Sequence, residues 1–292
     1  MPENQSTLLA KQRIIVALGA HPFAEALHIV EVLRDHVGGF MVGSRLLSSE
    51  GPGRALYFAR QRMQGRAPTP TSPPASPPGI LFYDRRLVEI PSNVVAEMAD
   101  AARAGGDWIN ICAVGGRASI RAAVQHRGAM RVIGETIPST MSDEECAQLF
   151  GTPVTATVLR LAELLIEERV DGIVCTAAEA IALRHRPNGS GLTIIATAIR
   201  PAGTRWDEHL RTATPAQAIR AGADYLLIGR PITNPRTTGM ATDADRVAAA
   251  QQIARDIEAT LTESGLPQQQ EEVNDECDDR TPSATAAGLG CA

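Results

Sequence analysis

Short runs of apolar, often β-branched residues alternate along the chain with longer segments in which apolar residues recur every three or four positions. The short runs are typical of buried strands. The longer segments, such as PFAEALHIVEVLRDHV and TVLRLAELLIEERV, have the spacing of helices that pack on one face. The predicted strands cover residues 13–18, 39–42, 80–84, 108–111, 131–134, 172–175, 192–196 and 225–228.

Strands that alternate with helices are joined by right-handed crossovers and form a parallel sheet. Eight such repeats predict an α/β protein that closes into a (β/α)₈ barrel, the TIM barrel, which commonly uses about 250 residues. We assign the barrel, as a single domain, to residues 13–263. The alternative is an open, doubly wound sheet, but the GxGxxG turn typical of that fold is missing after Leu18, where GAHPFAE follows.

Three segments do not follow the repeat. Residues 1–12 form a predicted N-terminal extension. Residues 64–79 are rich in proline, which favours an extended loop insertion at the bottom of the barrel, away from the expected chemistry. Residues 264–292 are polar and acidic and have little apolar surface to bury, so we predict a disordered tail.

Composition narrows the function classes. The net charge of −5 argues against nucleic acid as a partner, because neutralising phosphate backbones needs an excess of Lys and Arg. The five cysteines include no CxxC pair and stand near no histidine cluster, so neither a metal site nor a disulfide framework is predicted. No apolar run is long enough for a signal segment or a membrane span, which predicts a cytoplasmic protein without a membrane partner.

The loops after the last two predicted strands carry residues of the kind expected for anion binding. Gly229 and Arg230 follow the eighth strand in IGRPIT, and the loops after strands seven and eight are the usual phosphate site of such barrels. Arg200 in ATAIRPAG and His209 in WDEHLRTATP follow the seventh strand. We predict that these groups converge on one phosphate site, the alternative being an exposed arginine in a turn.

The third strand ends in charged residues. Asp84 and Arg86 are two positions apart and should face the same side, whereas Arg85 should face the other. Glu89 follows in the loop before Pro91. A charged pair that faces a barrel mouth is costly without partners, which favours a functional role; the alternative is a salt bridge between Asp84 and Arg86 that only satisfies itself.

Seven blocks along the chain, in order and spacing, resemble the orotidine 5′-monophosphate decarboxylase family. They are IIVAL, GGFMVGSRLLSSEGP, the D-x-R-x-x-E-I-P stretch, DWINICAVGG, VDGIVCTAAEAIALR, AIRPAG and RTATPAQAIRAGADYLLIGRPIT, within residues 13–257. The resemblance implies a homodimer that needs no cofactor and removes the C6 carboxylate of orotidine 5′-monophosphate, giving uridine 5′-monophosphate. In that family, alternating carboxylates and lysines beside C6 carry the mechanism, and a lysine protonates the carbanion.

Several family positions are changed in this chain. Gly19 replaces an aspartate that binds the ribose, Met41 replaces a lysine of the second strand, and Cys112 replaces a histidine of the fourth strand. The D-x-K-x-x-D motif becomes Asp84, Arg86 and Glu89, whose last acid in the family reaches the site of the neighbouring subunit. His209 replaces a glutamine that touches phosphate, while the remaining phosphate positions match: Arg200, Gly229 and Arg230.

These changes favour an altered reaction on a retained ligand class. An arginine stays protonated far above neutral pH, so Arg86 can stabilise an anion but is a poor proton donor. We therefore expect a divergent enzyme that binds a pyrimidine nucleoside 5′-monophosphate or a similar phosphorylated ligand, with Asp84 and Glu89 as acid or base, for instance in nucleoside natural-product biosynthesis. The alternatives are an authentic orotidine 5′-monophosphate decarboxylase, which makes UMP, and a non-catalytic nucleotide-binding protein.

Overall fold

Eight parallel strands close into a barrel in the computed structural model, which describes residues 10–65, 79–186, 191–204, 208–236 and 239–264. The strands pair in sequence order, and the eighth pairs with the first. Their bounds are β1 Ile14–Ala17, β2 Gly39–Val42, β3 Ile80–Leu87, β4 Trp108–Cys112, β5 Arg131–Glu135, β6 Gly172–Cys175, β7 Thr193–Ala196 and β8 Tyr225–Ile228. The predicted (β/α)₈ barrel is confirmed.

Helices connect successive strands and cover the outside of the barrel. Their bounds are α1 Phe23–Leu33, α2 Ser44–Glu50, α3 Pro52–Met63, α4 Pro91–Arg103, α5 Arg117–Gln125, α6 Asp143–Phe150, α7 Val154–Glu167, α8 Ala177–Arg184, α9 Pro215–Arg220, α10 Arg230–Thr233 and α11 Asp243–Ser264, with a 3₁₀ turn at Ala113–Gly115. The proline-rich insertion and the tail, apart from their first or last residues, lie outside the described part of the chain.

Side chains that point alternately to the two faces of each strand form two apolar layers, one inside the barrel and one outside it. One residue from each strand fills the inside of the barrel: Ile15, Met41, Phe82, Trp108, Ile133, Val174, Ile195 and Leu227. The intervening residues, such as Val16, Ile109 and Ile194, pack outward against the helices. The interior is therefore a packed core, and a ligand has room only above it, where the strands end.

The opposite end of the barrel carries the same ionic arrangement three times. An aspartate just before β4, β6 and β8 accepts the backbone N–H of the second residue of the preceding strand, at 2.7–2.8 Å. An arginine in, or just after, the helix that precedes the odd-numbered strand binds each aspartate, at 2.5–2.9 Å. The pairs are Asp107 with Arg60, Asp171 with Arg127, and Asp224 with Arg184. We call these three arrangements clamps. Each joins two neighbouring strands at the end of the barrel where no chemistry is expected.

Among the described residues, no single helix is long and apolar enough to cross a membrane. Only α6 and α7 taken together reach that length and composition, and the pair is bent by 51° at its break.

Candidate active site

The third and fourth strands lose their regular pairing at the C-terminal end of the barrel. Tyr83 lies opposite Ile109 and Leu87 opposite Ile111, so three residues of β3 face one residue of β4. Arg86 adopts a left-handed backbone conformation with φ of 47°, which is uncommon outside glycine. The strand ends three residues beyond the predicted end at Asp84, because β3 pairs with β4 again at Leu87, after the bulge.

Asn110, opposite the bulge, is fully buried and makes four hydrogen bonds. Its Oδ1 accepts the backbone N–H groups of Arg85 and Arg86, at 2.7 and 2.6 Å, which the bulge leaves without a regular strand partner. Its Nδ2 donates to Asp84 Oδ1 and Glu135 Oε1, both at 2.6 Å. One amide therefore holds the bulge in shape and joins two carboxylates from strands on either side of it.

Arg86 completes this group, which we call the inner polar cluster: Asp84, Arg86, Asn110 and Glu135. Arg86 Nε lies 3.0 Å from Asp84 Oδ1 and 3.6 Å from Glu135 Oε2. The Asp84 side chain is buried, whereas the Arg86 side chain is 56% exposed. The cluster thus places two acids and one cation at the floor of an open site.

Burial and neighbouring charges shift the ionisation of this cluster. Desolvation, with a smaller effect of the Asp84 charge, raises the pKa of Glu135 to about 7 although Arg86 and Asn110 oppose the shift. The charge of Glu135 raises the pKa of Arg86 above its already high value. Burial raises the pKa of the Cys112 thiol to about 12, so the thiol is neutral near pH 7. A pKa of about 7 means that Glu135 changes protonation near neutrality.

The predicted facing of the third strand is correct. Asp84 and Arg86 meet on the inner side, and Arg85 turns outward, where its Nε lies 3.2 Å from Glu97. The salt bridge of the simpler interpretation exists, but Arg86 also lines the cavity, so the pair belongs to the site. Glu89 is exposed and accepts a hydrogen bond from Asn93 at 2.9 Å, apart from the inner polar cluster within this chain.

A cavity of about 260 Å³ opens above the floor. Arg86, Cys112 and Glu135 line one side of it. Hydroxyl-bearing residues that follow strands β5 to β7 line its wall: Thr136, Ser139, Thr140, Thr176 and Thr197. His209 and Arg211, which come from the loop after β7, line the far side. The cavity therefore runs from an acidic floor to a rim with hydrogen-bonding and basic groups.

A buried ion pair supports the far side. Arg211 Nε lies 3.2 Å from Glu179 Oε1, although neither atom has a well-aligned hydrogen bond. The other carboxylate oxygen of Glu179 accepts from the backbone and the hydroxyl of Thr176, which begins α8. Arg211 also donates to the carbonyl of Met141 at 2.9 Å. This pair ties the loop of His209 to the ends of β5 and β6.

The predicted phosphate residues lie around the ends of β7 and β8, with individual partners. His209 Nδ1 lies 2.6 Å from Ser139 Oγ, inside the cavity. Arg230 forms a two-pronged pair with Glu208, at 2.8 and 2.7 Å, and Arg200 donates to the carbonyl of Ile199 at 2.7 Å. Gly229 precedes Arg230 as the N-cap of α10. Of these four, only His209 is among the residues that line the cavity.

The three positions predicted to be substituted relative to the family have different surroundings. Met41 is buried in the apolar layer beneath the site. Gly19 packs against Gly43, where a Cβ on Gly43 would lie only 2.9 Å from the Cα of Gly19. Cys112 ends β4, lies beside Glu135 in register and lines the cavity. Only the last of the three is in contact with the cavity.

Two residues of the inner polar cluster were not predicted from the sequence, Asn110 and Glu135. The sequence does contain a signal for them. Asn110 lies two positions after Trp108 and Glu135 two positions after Ile133, so each polar residue shares the inward face of its strand with an apolar residue that fills the barrel. Their joint role depends on the bulge in β3, which the alternation of residues does not reveal. Among the residues described, no group of three or more His, Cys, Asp or Glu side chains is arranged to hold a metal ion.

Comparison with known proteins agrees with this architecture. The model of the orotidine 5′-phosphate decarboxylase / HUMPS family matches residues 12–244. A protein of Anaeromyxobacter dehalogenans named orotidine 5′-phosphate decarboxylase is 33% identical over 246 residues, which cover 83% of this chain and 97% of that protein. One of the same name from Geotalea uraniireducens is 34% identical, over 76% of this chain and 89% of that protein.

Two crystal structures share the fold. Orotidine 5′-phosphate decarboxylase of Lactobacillus acidophilus has a TM-score of 0.65 and 22% identity, covering 84% of this chain and 98% of that one. An uncharacterised conserved protein of Geobacillus kaustophilus has a TM-score of 0.64 and 24% identity, covering 84% and 99%. With the family model and the sequence identities, these likenesses confirm the resemblance of the seven blocks, and the chain belongs to the orotidine 5′-phosphate decarboxylase / HUMPS family.

Proposed function

We propose that this protein is a divergent orotidine 5′-phosphate decarboxylase-like enzyme that acts on a pyrimidine nucleoside 5′-monophosphate or a similar phosphorylated ligand, with changed chemistry. The observation that carries the proposal is the composition of the inner polar cluster. Its cation is an arginine bound to Asp84 at 3.0 Å, and its second acid is Glu135, a residue outside the family motif.

The change concerns proton transfer. A lysine ammonium can give up a proton when its pKa is lowered, whereas a guanidinium held between two carboxylates keeps its proton. Arg86 has its pKa raised by Glu135, so it stabilises negative charge without supplying a proton. Met41 lies in the apolar core and supplies no charge. A reaction at this floor must therefore move its proton through another group.

The ligand class is inferred from the opposite end of the cavity. His209 lines the cavity, and Arg200, Gly229 and Arg230 follow the strands whose loops bind phosphate in many barrels of this kind. A ligand phosphate would compete with Glu208 for the guanidinium of Arg230, because that group already binds both carboxylate oxygens. A role in a specialised pathway, such as nucleoside natural-product biosynthesis, is consistent with a kept ligand class and a changed floor.

A screen of nucleotides tests the proposal directly. Purified protein is incubated with a panel of nucleoside 5′-monophosphates, and retained or converted species are identified by mass spectrometry. We expect a pyrimidine nucleoside monophosphate to be retained or converted. The variant Arg230→Ala should weaken its binding by on the order of 2 kcal/mol, because a charge-assisted contact to phosphate is lost. Unchanged affinity would remove the phosphate assignment.

A second candidate is authentic orotidine 5′-monophosphate decarboxylase, which makes UMP in pyrimidine biosynthesis. The observation in its favour is that the relatives described above bear that name and align over almost their whole length. Complementation of a strain that requires uracil separates the two. Growth supports the decarboxylase, whereas no growth despite folded, expressed protein supports the divergent enzyme, whose turnover of orotidine 5′-monophosphate is then too slow to supply the cell. Saturable binding with no turnover of any nucleotide in the panel would instead support a non-catalytic binding protein.

We also propose that the protein is a homodimer. Val88 and Ile90, which flank Glu89, and Val114, in the turn after β4, are 49–62% exposed. The two loops adjoin, since a Cβ on Gly115 would lie 3.7 Å from the Cα of Val88. An exposed apolar patch at the mouth of the barrel is typical of an interface. This patch surrounds Glu89, which lies apart from the inner polar cluster of its own chain.

The cytoplasmic location of the protein stays a prediction.

A further inference from the structure

Glu135 occupies the position in the site from which a proton can be delivered. Its side chain is 16% exposed and lines the cavity beside Arg86 and Cys112. Oε1 is held by Asn110 at 2.6 Å, while Oε2 lies 3.6 Å from Arg86 Nε, beyond hydrogen-bond range. One oxygen is therefore anchored, and the other is placed to carry a proton into the cavity.

The neighbours of Glu135 favour its neutral form. Asp84 and Glu135 accept from the same amide nitrogen of Asn110, so their charges lie close together, and Arg86 is the cation that contacts both. Arg86 approaches Asp84 more closely, at 3.0 Å against 3.6 Å. Two like charges that share one cation in a buried place are best accommodated when one carries a proton. Glu135 lies farther from the guanidinium and is therefore the protonated partner, and burial raises its pKa to about 7.

The other polar groups that line the cavity have different tasks. The Cys112 thiol keeps its proton near neutral pH, because burial raises its pKa to about 12. Glu179 caps α8 and pairs with Arg211, and His209 binds Ser139 on the far side. The remaining polar groups of the wall are hydroxyls, which are poor acids near neutral pH, and the Cys175 thiol, whose pKa is raised by burial.

We propose that Glu135 transfers the proton at the reacting ring carbon of the bound pyrimidine nucleotide, an inference that rests on the proposed function. In the decarboxylating direction, the bond between the ring carbon and its carboxylate breaks, the electron pair stays on the ring carbon, and CO₂ leaves. The O–H bond of Glu135 then breaks as a C–H bond forms at that carbon. Solvent returns a proton to the Glu135 carboxylate, and Arg86 stabilises the negative charge while it lies on the ring.

The test compares the wild-type protein with Glu135→Gln, Glu135→Asp and Glu163→Gln, a control whose exposed carboxylate on α7 lies outside the cavity. Turnover of orotidine 5′-monophosphate and exchange of the ring protons of UMP with D₂O are followed by NMR, and UMP affinity by calorimetry. We expect Glu135→Gln to lose about 10²–10⁴-fold in rate, the usual contribution of a positioned acid or base, with UMP affinity retained. Glu135→Asp should recover part of the rate, and Glu163→Gln should match the wild type.

The pH profile distinguishes a proton donor from a structural residue. Because the donor must be protonated, the wild-type kcat for orotidine 5′-monophosphate should fall as the pH rises through about 7, and this limb should be absent in Glu135→Gln. A Glu135→Gln variant with wild-type rate and profile would overturn the inference and leave the proposed function intact. UMP binding by wild-type protein with neither turnover nor ring-proton exchange would also overturn it.

A measurement without ligand separates the two proposals. The carboxyl carbon of Glu135, labelled with ¹³C and assigned by its loss in Glu135→Gln, is titrated in the free protein. A midpoint near 7 supports the inference, and a midpoint near 4.5 overturns it. Failure of the wild-type protein to bind any pyrimidine nucleoside monophosphate would instead overturn the proposed function and the inference with it, whatever the titration of Glu135 shows.

Discussion

Asn110 shows how one side chain organises a site. A bulge in β3 leaves two backbone N–H groups without regular strand partners, and an unpaired buried N–H is costly. The Asn110 carbonyl accepts both, and its amide hydrogens then point at Asp84 and Glu135. An aspartate at this position would add a third negative charge and could not donate. Only an amide meets both needs.

Glu135 should give the stability of the protein a measurable pH dependence. Its pKa is about 7 in the folded protein against 4.5 as its ordinary value. Between pH 4.5 and 7 the folded state therefore keeps a proton that the unfolded state releases. The resulting contribution to the free energy of unfolding is complete below pH 4.5 and is lost as the pH rises through 7. The shift corresponds to a loss of up to about 3 kcal/mol. Urea denaturation of wild type and Glu135→Gln at pH 5 and 8 measures it.

The Gln variant cannot ionise, so its free energy of unfolding relative to wild type should increase between those two pH values. Glu163→Gln is the matched control, because its carboxylate is exposed and pairs loosely with Arg186 at 3.6 Å. A constant difference between wild type and Glu135→Gln across this range would show that Glu135 titrates normally.

Glu208 should compete with a ligand phosphate for Arg230. The hydrogen bonds from Arg230 lower the pKa of Glu208 to about 2, so the carboxylate is ionised at any working pH. Replacing it in Glu208→Gln removes an exposed ion pair, and such pairs contribute up to about 1 kcal/mol. We expect UMP to bind about two- to fivefold more tightly, as measured by calorimetry. Glu263→Gln, which removes the exposed pair with Arg220, should leave the affinity unchanged. Weaker binding by Glu208→Gln would mean that Glu208 supports the site.

At the level of the elements, the three clamps divide stability from function. Each aspartate precedes an even-numbered strand and binds the backbone of the odd-numbered strand before it. The carbonyl of the same strand residue accepts the backbone N–H of that aspartate. The clamps lie at the N-terminal ends of the strands, so the C-terminal ends can carry the bulge and the cavity.

Removing one clamp should destabilise the barrel without altering the site. In Asp171→Ala, the N–H of Val132 and the guanidinium of Arg127 lose a partly buried acceptor. We expect a loss of about 2–3 kcal/mol in the free energy of unfolding, measured by urea denaturation, with UMP affinity unchanged. Asp100→Ala, which removes an exposed pair with Arg103 on α4, should cost less than about 1 kcal/mol. Equal losses in the two variants would contradict the assignment of Asp171 as a clamp.

On the scale of the whole molecule, the apolar patch of Val88, Ile90 and Val114 predicts the assembly. Ile90 is 62% exposed in the single chain, and a charge there would be buried in an interface. We expect wild-type protein to be a dimer by size-exclusion chromatography with light scattering, and Ile90→Lys to be a monomer. Leu149→Lys changes a similarly exposed residue on α6 and should stay dimeric. A wild-type monomer at micromolar concentration would end the dimer proposal.

The sequence alone determined the barrel, because both of its signals are local. The eight apolar runs and the helical spacing between them depend on neighbours within one element, and all eight strands lie where they were predicted, within a few residues at their ends. The seven blocks also identified the family before any contact was known, and the facing of Asp84, Arg85 and Arg86 followed from alternation.

Only the tertiary structure decided which acids lie together. Asp84, Asn110 and Glu135 come from three strands, and their contacts depend on a bulge whose cause lies on the neighbouring strand. A pattern read along one strand cannot show such a contact, and it paired Asp84 with Glu89 because both lie in one motif. Burial, which raises the pKa of Glu135, is likewise a property of the closed barrel and not of the residue.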